Sequence, residues 1–211
     1  MNISNRLERH IVAAAAVAAG VAASVNAGVV YSGVVNFACA VDIDGTYINV
    51  ETGVLSNGPG SGVPGWDVNP YRSSSGSGMN FFSATGGAYM RAPGDTVGVA
   101  GNLAIGTLIS GAASFSTSTA GVSFGPGAGQ WQYGAENIIG FRFVSSAGTT
   151  HYGWMRFLMG AQPATGNLVA RTVVDFAYES IAGAAIDAGA IPAPGAIALL
   201  GLAGLAGRRR R

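Results

Sequence analysis

The stretch that decides the fold reads IIGFRFV at residues 138–144, SSAG at 145–148 and TTHYGWMRFL at 149–158. Two runs rich in β-branched and aromatic residues flank a four-residue connection that ends in glycine, a pattern typical of an antiparallel β-hairpin. Because successive side chains of a strand point to opposite faces, Trp154 and Arg156 share one face. Met155 and Phe157 share the other. Both faces are partly apolar, so this pattern predicts a hairpin packed inside a β-sandwich.

The flanking sequence has the same character, with short β-branched or aromatic runs separated by loops rich in glycine and serine. No segment of the body (residues 28–191) has an apolar stripe with the 3.6-residue period of a helix. We therefore expect an all-β domain over residues 28–187, a single antiparallel β-sandwich of the jelly-roll or lectin-like type. The predicted strands cover residues 29–38, 46–50, 79–82, 88–91, 103–109, 138–144, 150–158 and 168–178.

The C-terminal segment, residues 188–211, reads AGAIPAPGAIALLGLAGLAGRRRR. Its first twenty residues carry no charge, and its two prolines place the start of a regular helix at Gly195. We expect a short transmembrane helix over residues 195–207, with everything before it on the outer side of the membrane. The cytoplasmic stop is formed by Arg208, Arg209, Arg210 and Arg211.

This tail resembles the PEP-CTERM sorting signals of exported bacterial proteins. The resemblance is carried by Pro192, Ala193 and Pro194, by the apolar run and by the arginine cluster. It implies processing by exosortase, a membrane-embedded cysteine transpeptidase-like enzyme. The glutamate usual between the prolines is replaced by Ala193, which makes this a Pro-Ala-Pro variant. In the body, HYGWMR (151–156), DFAYE (175–179) and IAG (181–183) resemble the "YGW … AYE … AG" pattern of exported PEP-CTERM-type proteins, which implies a β-sandwich and adds no chemistry.

The N-terminal segment, residues 1–27, has the organisation of a secretory signal peptide. Arg6 and Arg9 precede a thirteen-residue apolar region at 11–23, and small residues stand at Val25 and Ala27. We expect signal peptidase to cut between Ala27 and Gly28. The signal helix and the C-terminal transmembrane helix would thus flank the β-sandwich.

The charge of the body differs from that of the whole chain. Five arginines against nine acidic residues give residues 28–191 a net charge of −4, although the chain as a whole carries +1. The body has no basic patch that could neutralise phosphates, so we expect no nucleic-acid partner. Cys39 is the only cysteine, which rules out an internal disulfide, and we expect it to be a small buried hydrophobic residue.

The residue types needed for catalysis are sparse, and we expect no enzymatic activity. His151 is the one histidine outside the signal peptide, and its place in a strand favours a structural role. Among the acidic residues, Asp175 or Glu179 is expected to pair across the sheet with Arg142, Arg156 or Arg171.

One acidic motif leaves a cofactor open. Asp42 and Asp44 precede Gly45, which favours a turn-forming acidic pair. The alternative is Ca²⁺, held by these carboxylates with backbone carbonyls, although the full calcium-loop pattern is absent. No other cofactor is expected.

Four aromatic residues fall in predicted loops: Trp66, Tyr71, Trp131 and Tyr133. Such rings either close the ends of the sandwich or stack on sugar rings. The expected function is that of an exported, exosortase-sorted cell-surface or extracellular-matrix protein, anchored at least transiently in the inner membrane and associated with surface polysaccharide. The first alternative is a lectin-like carbohydrate-binding module, and the second is an exported hydrolase.

Overall fold

Thirteen short strands make up the regular structure of this computed structural model, which describes residues 28–73, 78–95, 98–165 and 168–192. All strand pairs are antiparallel, so the predicted all-β antiparallel fold is confirmed. The helical structure of the described residues is limited to one 3-10 turn, Gly60–Gly62. The strands are β1 Val29–Tyr31, β2 Phe37–Ala38, β3 Thr46–Asn49, β4 Val54–Asn57, β5 Val68–Arg72, β6 Met79–Ser83, β7 Ala88–Tyr89, β8 Leu108–Ile109, β9 Thr119–Gly121, β10 Glu136–Val144, β11 Thr150–Met159, β12 Arg171–Glu179 and β13 Ile186–Asp187.

The strands form two main sheets and a small ribbon. The first sheet has the order β1-β12-β11-β10-β7, and β2 also pairs with β12. The second sheet has the order β4-β3-β5-β6-β9, and β8 pairs with β13 in a separate two-stranded ribbon. The inner faces of both main sheets contribute to one hydrophobic core, an arrangement consistent with a β-sandwich.

The hairpin predicted from the sequence is the centre of the first sheet. β10 pairs over its full length with residues 150–158 of β11, and Ile139 lies opposite Met155. Ser145 N donates to Thr149 O at 2.8 Å and closes the connection, in which Gly148 has the positive φ of +79° that glycine adopts without strain. The predicted hairpin and its face assignment are confirmed.

A β-bulge in β12 changes the alternation expected for that strand. Arg156 pairs with Asp175, but the next residue of β11, Phe157, pairs with Val173, so one residue of β12 is left over. Plain alternation would place Val173 on the face opposite to Phe176. The extra residue shifts the pattern, and both side chains enter the same core.

The predicted strand over residues 29–38 is also wrong in its continuity. It is split into β1 and β2, which pair with different parts of β12. Between them, Val35 N and Asn36 N both donate to Val174 O, at 2.8 and 3.2 Å. The left-over residue of the bulge is therefore where the intervening loop is attached.

Both faces of the first sheet are buried, which explains why both faces of the hairpin are apolar. Between the sheets, the ring of Phe81 packs against Trp131 and Phe157 with centroid separations of 5.6 and 5.4 Å. The opposite face carries Trp154 in a second hydrophobic cluster, which is covered by the loop before β8, by β8 and by the segment that follows β13. Trp154 Nε1 donates to Ala190 O at 3.0 Å, so the end of the body is attached to the central strand.

The body forms one compact unit, Gly28–Ile191, with its own core. The predicted signal peptide and the predicted transmembrane helix over residues 195–207 lie outside the described residues. Within the part of the chain that the structure describes, there is no helix long and apolar enough to cross a membrane.

Candidate functional site

The outer face of the second sheet carries a patch of four aromatic rings, here called the aromatic face: Tyr47 of β3, Trp66 of the loop before β5, Tyr71 of β5 and Phe82 of β6. Strand alternation turns the strand residues of this set away from the core. Phe81 is fully buried, for example, whereas its neighbour Phe82 is 41% exposed. The other three rings are half-buried.

The rings of the aromatic face support one another. Tyr47 meets Trp66 edge-on with a centroid separation of 5.1 Å, and Trp66 lies 5.7 Å from Phe82 at an angle of 39°. The backbone at Gly60 lies directly against the Tyr47 ring, because a Cβ at position 60 would fall 2.6 Å from Tyr47 Cε1. These contacts leave the rings little freedom before any ligand arrives.

The loop that carries Trp66 is fixed by the side chain of Asn49, the last residue of β3. Its Nδ2 donates to Pro64 O at 3.0 Å and to Gly65 O at 2.9 Å, and its Oδ1 accepts from Thr52 N at 2.9 Å. Gly65 has a φ of +66°, the left-handed conformation that glycine adopts without strain. Asn49 thus determines where Trp66 is presented.

Two open depressions have the Phe82 ring in common. One, of about 460 Å³, is bounded by Trp66, Phe82 and Ser118. The other, of about 240 Å³, is bounded by Tyr47, Tyr71, Asn69 and Asp44 as well as Phe82. Aromatic rings therefore alternate with amide, hydroxyl and carboxylate groups across this face.

Two amide side chains hold the second depression in shape. Asn80 Nδ2 donates to Tyr71 Oη at 3.2 Å, which fixes the outer end of the tyrosine ring. Asn69 Nδ2 donates to Asp44 O at 2.8 Å, which ties the loop before β3 to β5. The depression is therefore bounded by groups whose positions are already set.

Next to Trp66 lies a buried carboxyl group. Burial raises the pKa of Asp67 to about 7, and the hydrogen bond from Val50 N to Asp67 Oδ2, at 2.8 Å, opposes that rise. The nearby charge of Glu51 raises the pKa of Asp67 further. This group titrates near neutral pH and links β3 to the strand that follows Trp66.

A larger pocket, of about 540 Å³, lies elsewhere, between Met90, Leu103 and Gly129. Its polar side chains hold the surrounding loops in place. Asp95 Oδ2 accepts from Gly98 N and Val99 N, both at 2.7 Å, and Asn102 Oδ1 accepts from Ile138 N at 3.0 Å. These hydrogen bonds hold the loops of the fold together. We therefore place the candidate binding site at the aromatic face and not in this pocket.

The four aromatic residues predicted as a group are not brought together. Trp66 and Tyr71 lie on the aromatic face, but Trp131 is fully buried and its Nε1 donates to Ala100 O at 3.0 Å. The prediction that Trp131 binds a glycan is therefore wrong, because its ring lies in the core. Tyr133 is half-buried and stacks on Phe124 at 4.1 Å, away from the aromatic face.

Two residues of the aromatic face, Tyr47 and Phe82, were not predicted from the sequence. The signal that could have found Phe82 is the alternation of β6, in which polar Asn80 and Phe82 oppose apolar Met79 and Phe81. The same test applies to Tyr47, which precedes buried Ile48 in β3.

The acidic motif before β3 forms a turn. Asp42 Oδ1 accepts from Gly45 N at 2.7 Å, and Gly45 has a φ of +71°. Asp44 is exposed. In the described parts of the chain, no group of three or more histidine, cysteine or acidic side chains is gathered for a metal ion. Ca²⁺ binding by Asp42 and Asp44 stays a prediction.

His151 and Cys39 occupy structural positions. His151 Nδ1 donates to Glu179 O at 2.8 Å, and its Nε2 lies 2.9 Å from Thr149 Oγ1, so both ring nitrogens are engaged. Cys39 is buried, and burial raises the pKa of its thiol. A thiol in this state is a poor nucleophile.

The predicted cross-sheet ion pair is formed by Arg156 and Asp175. Arg156 Nε donates to Asp175 Oδ1 at 2.9 Å, and Nη2 donates to Oδ2. Tyr31 Oη also donates to Asp175 Oδ2, at 2.8 Å. This cluster lies on the outer face of the first sheet, the face that also carries Trp154, and its three members are hydrogen-bonded to one another.

The predicted processing residues fall mostly outside the described residues: Ala27, Ala193, Pro194 and Arg208 to Arg211. Gly28 and Pro192 lie within them, and Gly28 is buried immediately before β1. Comparison of the chain with protein-family models, with curated protein sequences and with solved structures gives no match.

Proposed function

We propose that the protein is an exported, non-enzymatic surface protein that binds carbohydrate through the aromatic face of a lectin-like β-sandwich. The single observation that carries this proposal is the set of four outward-facing rings alternating with hydrogen-bonding groups on the second sheet. A sugar ring has apolar C–H faces and a polar rim. It therefore matches a surface on which aromatic faces and polar groups alternate.

The aromatic face is suited to binding because much of its order exists in advance. Trp66 is held by Tyr47 and Phe82, and its loop is fastened by Asn49. Rings that are already ordered lose little side-chain entropy when a sugar stacks on them. The two depressions share Phe82, so consecutive sugar units of a chain can occupy them.

The charges of this face favour a neutral glycan. Of the described residues that bound the two depressions, Asp44 alone is charged, and the sequence contains no lysine. Arg72 follows Tyr71 in β5, and alternation directs it to the opposite side of the sheet. An acidic polysaccharide would meet a carboxylate without a compensating cation, at a cost in affinity.

The carboxylates argue for binding and against hydrolysis. A glycosidase needs two carboxyl groups on either side of one glycosidic bond, about 5 to 9.5 Å apart. Among the residues that the structure describes, Asp44 and Asp95 bound separate pockets, and neither pocket has a second acidic residue in its lining.

The proposed export of the protein is supported by the two signals predicted from its sequence. The predicted signal peptide and the Pro-Ala-Pro variant of the PEP-CTERM signal support export, recognition by exosortase and at least transient anchoring in the inner membrane, followed by release to the surface or the surrounding polysaccharide. Intact-mass measurement of the exported protein tests this part. A species from Gly28 to a residue near Ile191 supports both cuts, and an intact C-terminus in the inner membrane contradicts the second.

The binding proposal is tested with the body, residues 28–191, on an array of neutral and acidic polysaccharides. Trp66→Ala and Phe82→Ala are each expected to weaken binding about ten-fold or more, which corresponds to about 1.4 kcal/mol. Tyr133→Ala is the matched control, because it truncates a half-buried ring away from the aromatic face. Binding to no glycan, or equal binding by Trp66→Ala and Tyr133→Ala, contradicts the proposal. Preference for acidic glycans contradicts only the neutral class.

A further inference from the structure

The first residue of the body, Gly28, lies in direct contact with the carboxylate of Glu179. A Cβ built on Gly28 would fall 1.8 Å from Glu179 Oε1 and 2.7 Å from Cδ. No side chain fits at position 28 unless this carboxylate moves. The carboxylate therefore lies against the Cα of Gly28, the atom to which the Gly28 nitrogen is bonded.

The same contact is held by the backbone around it. Val29 is opposite Glu179 in the β1–β12 pair, and Ser180 N donates to Gly28 O at 2.8 Å. Glu179 is only 6% exposed, and its Oε1 accepts from Ile181 N at 2.9 Å. Its carbonyl oxygen accepts from His151 of the neighbouring strand β11. Burying a carboxylate without a cation nearby is costly. A positive charge at this position would therefore stabilise the folded state.

We infer that the mature protein begins at Gly28 and that its new α-ammonium group forms an ion pair with Glu179. Water adds across the Ala27–Gly28 amide, leaving a carboxylate on Ala27 and an ammonium group on Gly28. The cut replaces an amide nitrogen, which has one N–H, with a cation that has three. This inference depends on the export part of the proposed function and is independent of glycan binding.

The contact also explains the residue type on the mature side of the cut. Glycine is the one residue that brings the terminal nitrogen close to Glu179 without displacing its side chain. Because Gly28 is buried in the folded body, the cut has to take place before β1 pairs with β12. Processing and folding would then occur in that order, and the ion pair forms as β1 docks.

The absence of lysine from the sequence makes a direct test simple, since the α-amine of the mature protein is its only amine. The rate of acetylation of this amine is followed by mass spectrometry as a function of pH, on protein that begins at Gly28. An ordinary α-amino group has a pKa of about 7.7–8.0, and a neighbouring carboxylate raises it. We expect a pKa at least about one unit above that range.

The matched control is Glu179→Gln, in which the side-chain carbonyl still accepts from Ile181 N. It is expected to return the pKa of the α-amine to the ordinary range of about 7.7–8.0. Equal pKa values in both proteins, within that range, overturn the ion pair.

A second readout keeps the inference testable if Glu179→Gln does not fold. The ion pair stabilises the native state fully below the unfolded pKa of the amine, and this stabilisation is lost as pH rises through the higher folded pKa. Protein acetylated at Gly28 is therefore expected to be less stable than the free amine at pH 7, with the gap closing towards pH 11. A gap that is zero or independent of pH overturns the ion pair. An exported protein that begins at another residue overturns the processing step alone.

Discussion

The ion pair between Arg156 and Asp175 allows a quantitative test of how the first sheet is held together. Asp175 is fully buried, and it receives hydrogen bonds from Nε and Nη2 of Arg156 and from Tyr31 Oη. The hydrogen bond to Asp175 is the main cause that raises the pKa of Arg156, so the guanidinium group stays charged. Arg156 also contacts Glu136 at 3.2 Å, but that side chain is 52% exposed.

The perturbation is Arg156→Met, which keeps most of the apolar stem and removes the charge. It leaves a buried carboxylate with the tyrosine as its remaining partner, and the expected loss of unfolding free energy is about 3–5 kcal/mol. Glu136→Gln breaks the exposed contact of the same arginine and is expected to cost less than about 1 kcal/mol. A domain of this size has a free energy of unfolding of only about 5–15 kcal/mol, so Arg156→Met is expected to remove a large share of it.

The assay is urea unfolding of the body, followed by tryptophan fluorescence. It is applied to Arg156→Met, Glu136→Gln and Asp175→Asn, and to Arg156→Met combined with Asp175→Asn. The double variant no longer buries an unpaired charge, so it is expected to lose less stability than the two single changes added together. If Arg156→Met costs no more than Glu136→Gln, burial does not make the inner ion pair stronger than the outer one. That result would refute the reasoning.

Two further predictions concern stability near the aromatic face and at the C-terminal end of the body. Because the pKa of Asp67 is raised, the folded protein binds more protons than the unfolded chain between about pH 4 and 7. The free energy of unfolding should therefore fall as pH rises through this window, by at most about 1.4 kcal/mol per pH unit. Asp67→Asn, which keeps an acceptor for Val50 N, should flatten the dependence of the unfolding free energy on pH between about pH 4 and 7. Trp154→Phe should remove the hydrogen bond to Ala190, lower stability by about 1 kcal/mol or more and speed amide exchange after β13; unchanged exchange there would count against this attachment.

The hairpin of β10 and β11 was predictable because its information is local. Two alternating runs and a short loop define the pairing, and Phe157 and Trp154 point to the faces that alternation assigns to them. The interruption between β1 and β2 was not predictable in this way. It depends on hydrogen bonds to Val174, which is distant in sequence and exposed to pairing only because of the bulge.

The partition of the aromatic residues shows where local sequence stops being informative. Trp66 and Trp131 both follow glycine-rich segments and look alike in sequence. One is presented by a loop that Asn49 fastens, and the other closes the core against Phe81. Which ring is buried depends on how the two sheets pack, and that information lies in contacts between residues far apart in the chain.

The attachment of Ala190 to Trp154 also places the last residues of the body on a defined side of the domain. The chain leaves the body from the outer side of the first sheet, while the aromatic rings lie on the outer side of the second, across the full thickness of the core. Trp66 and Phe82 therefore lie on the side of the domain opposite to the last residues of the body, so the contacts of one side do not depend on those of the other.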